Sequence, residues 1–176
     1  MRLRDQGRWW GTSEAERLRP YPCDALLPAA NAAWHRGVTV RATPEVVFRW
    51  LCQLRAAPYS YDWIDNLGRR SPRALTPGLD ALAPGQRFMT IFELASFEPG
   101  VHVTLRLSRA GLFPPMAVSY LVAPGDDGTC RLLAKVALAL RPGLCDRLVA
   151  ALGPWLDAFM MRRQLLNLAA RAEGRG

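Results

Sequence analysis

Two stretches of this chain alternate apolar and polar side chains with the two-residue period of a strand. Val101, Val103, Leu105 and Leu107 oppose His102, Thr104, Arg106 and Ser108, while Cys130, Leu132, Ala134, Val136 and Leu138 oppose Arg131 and Lys135. Such strands carry one apolar and one wet face, which predicts an antiparallel sheet covered on one side. Further strand-like runs lie at 86–91, 92–97 and 116–123, and the Cys130 run extends to 140. Turn signals at Glu98-Pro99-Gly100, from Gly111 to Pro115, and at Pro124-Gly125-Asp126-Asp127-Gly128 separate them. Upstream, His35 to Val40 holds β-branched Val38, Thr39 and Val40 and predicts one more strand.

The helical period appears on both sides of these strands. Thr43-Pro44-Glu45 predicts a helix start, with threonine as N-cap and proline at the first helical position. Val46, Val47, Trp50, Leu51 and Leu54 then form one apolar stripe, and Pro58 ends it. Asp62 or Ser60 caps a second short helix that runs through Leu67 to Gly68, and 71–85 reads as a loop rich in proline and glycine. Near the C-terminus, Leu144, Leu148, Ala151 and Leu152 give one helical piece, which Gly153-Pro154 breaks or kinks. From Trp155 the stripe resumes through Leu156, Phe159, Met160, Leu165, Leu166 and Ala169. The order is strand, two helices, a run of antiparallel strands, and a long amphipathic helix. It predicts an α+β fold in which a curved antiparallel sheet wraps the C-terminal helix, leaving a cavity where the helix stands off the sheet. Residues 1–33, irregular and broken by Pro20, Pro22 and Pro28, read as an arm. Its Trp9, Trp10, Tyr21, Leu26 and Leu27 would pack on a domain spanning 34–173.

A chain of 176 residues, half of them apolar, suits a single domain with a sizeable core. The net charge of +8 comes from 23 basic residues, all arginine except Lys135. They are dispersed, with small groups at Arg69/Arg70/Arg73 and Arg162/Arg163. A nucleic-acid stripe would concentrate them on one element, so none is expected. Cys23, Cys52, Cys130 and Cys145 make no CxxC pair and no ladder with His35 or His102, so no metal site and no cofactor are expected. The N-terminus lacks the apolar core of a signal peptide, and no run reaches the eighteen or so apolar residues of a spanning helix. The expectation is a cytoplasmic protein with reduced thiols, monomeric or homodimeric, and not inserted in a membrane.

Candidate chemistry concentrates in residues 57–66. This segment holds Tyr59, Tyr61, Trp63, Asp62 and Asp65 just after an amphipathic helix. Aromatic rings with a few hydroxyls and carboxylates can wall an apolar pocket and work inside it. Asp62 and Asp65 are the candidate general bases, because a carboxyl enclosed by rings has a raised pKa suited to removing a proton beside a ketone. An Asp just before a short helix is, however, the expected N-cap, which is the favoured reading of Asp62, with Asp65 then on the first turn where its charge suits the dipole. Tyr59 or Tyr61 would hydrogen-bond a ligand carbonyl or steady an enolate. Trp63, Tyr120, Trp155, Phe159 and Met160 are further candidates for the pocket wall. Glu93, in a greasy strand, is either exposed or paired with Arg106 or Arg87, and its sharper reading is a catalytic acid or ligand contact. His102 reads as a surface residue on the wet face. Ser119 has no Gly-x-Ser-x-Gly elbow around it, which argues against a serine hydrolase.

The chain resembles the START-like superfamily of polyketide cyclases, plant pathogenesis-related proteins and lipid-transfer domains, and within it an actinobacterial polyketide cyclase/dehydrase-like group. The resemblance rests on Trp10-Gly11-Thr12, Pro22-Cys23-Asp24, Pro44-Glu45-Val46-Val47-Phe48-Arg49-Trp50-Leu51 and Tyr59-Ser60-Tyr61-Asp62-Trp63. It continues in Gly85, Phe97-Glu98-Pro99-Gly100, Met160-Met161-Arg162-Arg163-Gln164-Leu165-Leu166 and Ala172-Glu173. It implies the helix-grip fold and a hydrophobic ligand of polyketide, lipid or isoprenoid type. The arginine–serine–histidine constellation of the aromatase relatives is absent from this chain. Three functions therefore stand open: a cyclase- or dehydratase-like enzyme, a non-catalytic carrier or sensor, and a basic surface for an acidic partner.

Overall fold

The computed structural model describes residues 7–108 and 113–175. Its strands are β1 (Trp9–Trp10), β2 (Ala32–Val40), β3 (Arg87–Phe88), β4 (Phe92–Glu98), β5 (His102–Leu107), β6 (Met116–Pro124) and β7 (Cys130–Leu138). They form one sheet in the order β1-β2-β7-β6-β5-β4-β3, parallel between β1 and β2 and antiparallel elsewhere. The helices are α1 (Glu14–Leu18), α2 (Pro22–Leu26), α3 (Pro44–Cys52), α4 (Asp62–Asp65) and the long α5 (Leu144–Ala172). This is the helix-grip arrangement of an α+β domain. The turn expected from Gly111 to Pro115 falls largely outside the described residues.

Strand alternation sets the core. Trp34, Arg36, Val38 and Val40 of β2 point to the inner face, as do Val118, Tyr120 and Val122 of β6 and Leu132, Ala134 and Val136 of β7. Val47, Phe48, Trp50 and Leu51 of α3 and Met161, Leu165 and Leu168 of α5 pack against them. Each such fully buried aliphatic side chain is worth about 1.5–3 kcal/mol. The irregular step at Ala95, between the Leu94 and Ser96 pairs of β4 and β5, bends the sheet around the helix.

The structure corrects several expectations. The sheet is covered on both faces. Tyr21 and Cys23 pack on the outer face against Ala117, Leu121, Leu133 and Ala137. Thr104, which looked wet, is fully buried there, as is Ser119. Their hydroxyls lie 2.9 Å apart, and the Cys23 N–H donates to Ser119 Oγ at 2.9 Å, so hydroxyls mimic a wet strand while being satisfied internally. His102 is half-buried with Glu98 3.9 Å away, and burial lowers its pKa. The strand expected over 86–91 shrinks to β3 because Met89 and Thr90 adopt positive φ and turn the chain.

Of the break or kink expected at Gly153-Pro154, the break does not occur: helix α5 is continuous through Pro154. Proline removes one helical hydrogen bond, but tertiary contacts hold the turn. The Arg36 guanidinium donates to the Pro154 carbonyl at 3.0 Å and pairs with Asp157 at 2.8 Å. Gly153 lies so close to Trp34 that an added Cβ would stand 2.6 Å from the ring. The stripe read in sequence holds at Leu165 and Ala169, which are buried, but fails toward the N-terminal half of the helix. Leu144, Leu148, Leu152, Trp155, Leu156 and Phe159 are exposed, while Val149, Gly153, Asp157, Met161, Gln164 and Leu168 face inward. Polar Asp157 and Gln164 disguise the inner face.

Candidate functional site

A cavity of about 240 Å³ opens between the inner face of the sheet and α5. Its apolar wall draws on Ile91, Phe92, Val118 and Val136 of the sheet side. Met89, Met116, Met160 and Met161, four of the five methionines in the chain, complete it. Methionine is unbranched and polarisable, so this wall can adapt to ligand shape.

Polar groups enter this wall at three places. The first is the segment after α3. Tyr59 takes a positive φ of 55°, a conformation that side chains other than glycine adopt rarely. Helix α5 grips it at two carbonyls: Gln164 Nε2 donates to Pro58 O at 2.7 Å and Asn167 Nδ2 to Tyr59 O at 2.9 Å. That grip presents Ser60 to the cavity, where its hydroxyl donates to Asp65 at the end of α4. The other Asp65 oxygen is buried without a partner, and burial raises its pKa, opposed by the Ser60 bond.

The second is Tyr120, fully buried on β6, whose hydroxyl donates to Gln164 Oε1 at 2.6 Å. Burial raises its pKa, so the phenol stays neutral and acts as a fixed donor. The third is Asp157, one helical turn before Met160 and Met161. Burial pushes its carboxyl up to about 6, although Arg36 opposes the shift. Arg36 itself is fully buried and donates to the carbonyls of Gly7, Arg8, His35 and Pro154 at 2.7–3.0 Å. Two carboxyls therefore face the cavity with pKa values raised by burial, the kind of group that can serve as an acid or base in proton transfer.

The residues expected at the site separate into groups. Asp65, Tyr120 and Met160 line the cavity. Asp62 does not: its carboxylate accepts from Ser71 N–H at 2.9 Å and Ser71 Oγ at 2.6 Å, in an adjoining pocket that also holds Tyr59, Tyr61 and Trp63. Tyr61, rather than Asp62 or Ser60, occupies the N-cap position of α4, which ends at Asp65 and not at Leu67. Asp62 thus closes the following loop instead of capping the helix. The Tyr61 ring stacks on Phe159 at 4.3 Å and lies beneath Arg163. Tyr59 is buried edge-on to Trp50 at 6.1 Å, and burial pushes its hydroxyl up to about 12. Trp63 is 75% exposed. Glu93 on β4 pairs with Arg106 opposite it on β5. Trp155 lies against Gly7, away from the cavity.

Gln164, Asp157, Arg36 and Ser60 were not singled out as site residues. A signal existed for the first two: Asp157, Met160, Met161 and Gln164 recur at helical spacing on one face. Arg36 alternates with Trp34 and Val38 on β2, which places it on the core side.

No protein-family model and no curated protein matches the sequence. Solved structures do. A Helicobacter pylori protein aligns over 87% of this chain and 95% of its own, with a TM-score of 0.56 at 13% identity. A Thermobifida fusca protein aligns over 81% of this chain and 94% of its own, with a TM-score of 0.53 at 16% identity. Norcoclaurine synthase from Thalictrum flavum aligns over 79% and 91%, with a TM-score of 0.45 at 11% identity. What the first two share with this chain is the fold. Among the described residues, no helix is long and apolar enough to cross a membrane, and no cluster of three His, Cys, Asp or Glu side chains could hold a metal ion.

Proposed function

We propose that this protein binds an apolar small molecule of polyketide, lipid or isoprenoid type in the cavity beneath α5, as a member of the polyketide cyclase/dehydrase-like branch of the START-like superfamily. The observation that carries this reading is the cavity itself, walled by methionine and aliphatic side chains with Asp65, Asp157 and the Tyr120–Gln164 pair placed in it. An apolar wall with a few fixed polar groups is the usual composition of a small-molecule pocket. Within the arm, read as residues 1–33, Tyr21 and Cys23 brace the outer face of the sheet, on the side away from the cavity.

The test is uptake of an apolar fluorescent dye, together with native mass spectrometry of the purified protein and extraction of whatever it retains. Met160→Trp places a larger ring in the cavity and is expected to abolish dye binding while the circular dichroism spectrum is retained. Wild-type protein that takes up no apolar probe, or a Met160→Trp variant that binds as well as wild type, would overturn the reading.

One observation favours catalysis over simple carriage. Asp65 and Asp157 both face the ligand space with carboxyls that burial makes hard to ionise, and such groups serve as acids and bases in proton transfer beside a carbonyl. An Asp65→Asn variant that still binds a β-polyketone but no longer speeds its cyclisation supports this. Unchanged turnover refutes it for Asp65.

A further inference from the structure

Members of the two small arginine groups, far apart in sequence, line one pocket together with Arg171. Arg70 and Arg73 follow α4, Arg163 and Arg171 lie two turns apart on α5, and all four line one pocket of about 450 Å³. Asp62 is the one carboxylate in its lining, and Ser71 already engages both of its oxygens. Among the described residues, no carboxylate comes within salt-bridge distance of any of the four guanidiniums, whereas Arg36, Arg106, Arg131, Arg141 and Arg175 are all paired. Like charges gathered in one concave site repel one another and focus a positive potential that an anion would relieve.

This pocket adjoins the apolar cavity. Ser60 lines both spaces, and the short segment from Pro58 to Asp62 contributes to the wall of each. We infer that the arginine pocket holds the phosphate or diphosphate head of an amphipathic ligand whose apolar part occupies the cavity, an inference that rests on the reading of the cavity given above. Guanidinium forks match phosphate oxygens in bidentate geometry, and four of them offer more donors than the two oxygens of a single carboxylate can accept. The stacked Tyr61 ring, with Arg163 above it, forms part of the pocket wall on the α5 side. Head and tail would meet at Ser60.

The experiment is calorimetric titration of the full chain with octyl phosphate, octanol and inorganic phosphate, and a sedimentation assay with phosphatidylglycerol vesicles. Wild type and the exposed-site variant Arg70→Gln/Arg163→Gln are compared. Octyl phosphate is expected to bind about tenfold or more tighter than octanol, the size of one or more charge-assisted hydrogen bonds. It should also exceed inorganic phosphate, weaken as salt is raised, and lose its advantage over octanol in the double variant. Equal affinity for octyl phosphate and octanol overturns the anion site and leaves the cavity standing. Failure of both probes to bind overturns the cavity reading and this one with it. Inorganic phosphate binding as tightly as octyl phosphate separates the anion site from the cavity and overturns the amphipathic ligand. Arginine-dependent vesicle binding without a preference for octyl phosphate assigns these arginines to a lipid surface, which also overturns the inference.

Discussion

Replacing Arg36 by Met removes the buried cation that pairs with the cavity residue Asp157, while keeping a flexible side chain of comparable length. The native guanidinium is fully buried, donates to four backbone carbonyls and pairs with Asp157 at 2.8 Å. Breaking a buried pair by deleting one partner costs about 3–5 kcal/mol, because the other charge is left uncompensated. For a domain of this size about 2–4 °C of melting temperature corresponds to each kcal/mol, so a fall on the order of 10 °C is expected. The loss should depend on pH. In wild type, the Asp157 pKa is raised from 3.8 to about 6, so its folded form binds the proton more tightly than its unfolded form. Stability linked to Asp157 therefore declines as pH rises between those two values and is level above them. Arg36 is what restrains that rise, so in Arg36→Met the folded pKa climbs further and the decline continues past pH 6. The deficit relative to wild type should be smaller at pH 5 than at pH 8. Urea unfolding followed by tryptophan fluorescence at both pH values measures it, and Arg36→Met/Asp157→Leu should recover much of the loss. A deficit independent of pH would show that Arg36 acts through the carbonyls alone, and a loss below about 1 kcal/mol would refute the buried-pair argument altogether.

Gly11 supplies a second test. It has a φ of +68°, and a Cβ there would stand 2.0 Å from the Gly37 carbonyl oxygen, a clash with backbone that cannot be relieved locally. Gly11→Ala should detach the N-terminal segment from β2, which limited proteolysis would report as rapid cleavage before residue 30; a protection pattern matching wild type would disprove the packing. The thiols offer a third. Cys23, Cys52 and Cys130 are buried, with burial pushing Cys52 to about 12 and Cys130 to about 11, whereas Cys145 is exposed. Native protein should therefore titrate one fast thiol with a disulfide reagent and four after unfolding, and Cys145→Ser should remove the fast one.

From residue 34 onward the sequence by itself determined the kinds of element and their order, while the strand Trp9–Trp10 and the helix Pro22–Leu26 of the arm, read as irregular, were not legible. Strict alternation at Val101–Leu107 and Cys130–Leu138 reflects the two-fold pleat of a strand, and Pro44 after Thr43 reflects the geometry of a helix start. These are local constraints, written within a few residues. It also marked the segment containing Tyr59, Asp62 and Asp65 as chemically dense. Which of those carboxyls meets the cavity was not legible, because the answer depends on distant partners: Ser71 draws Asp62 away, while Gln164 and Asn167 hold the chain so that Ser60 and Asp65 turn inward. The inner face of α5 was hidden for a related reason. Asp157 and Gln164 are polar residues on that face, and Arg36 of β2 and Tyr120 of β6 supply the partners that make their burial affordable. The arginines show the same limit. Arg70 and Arg163 are remote in the chain and adjacent in the fold, since charge clustering is a property of surfaces, which only the packing of α5 beside the loop after α4 brings into being.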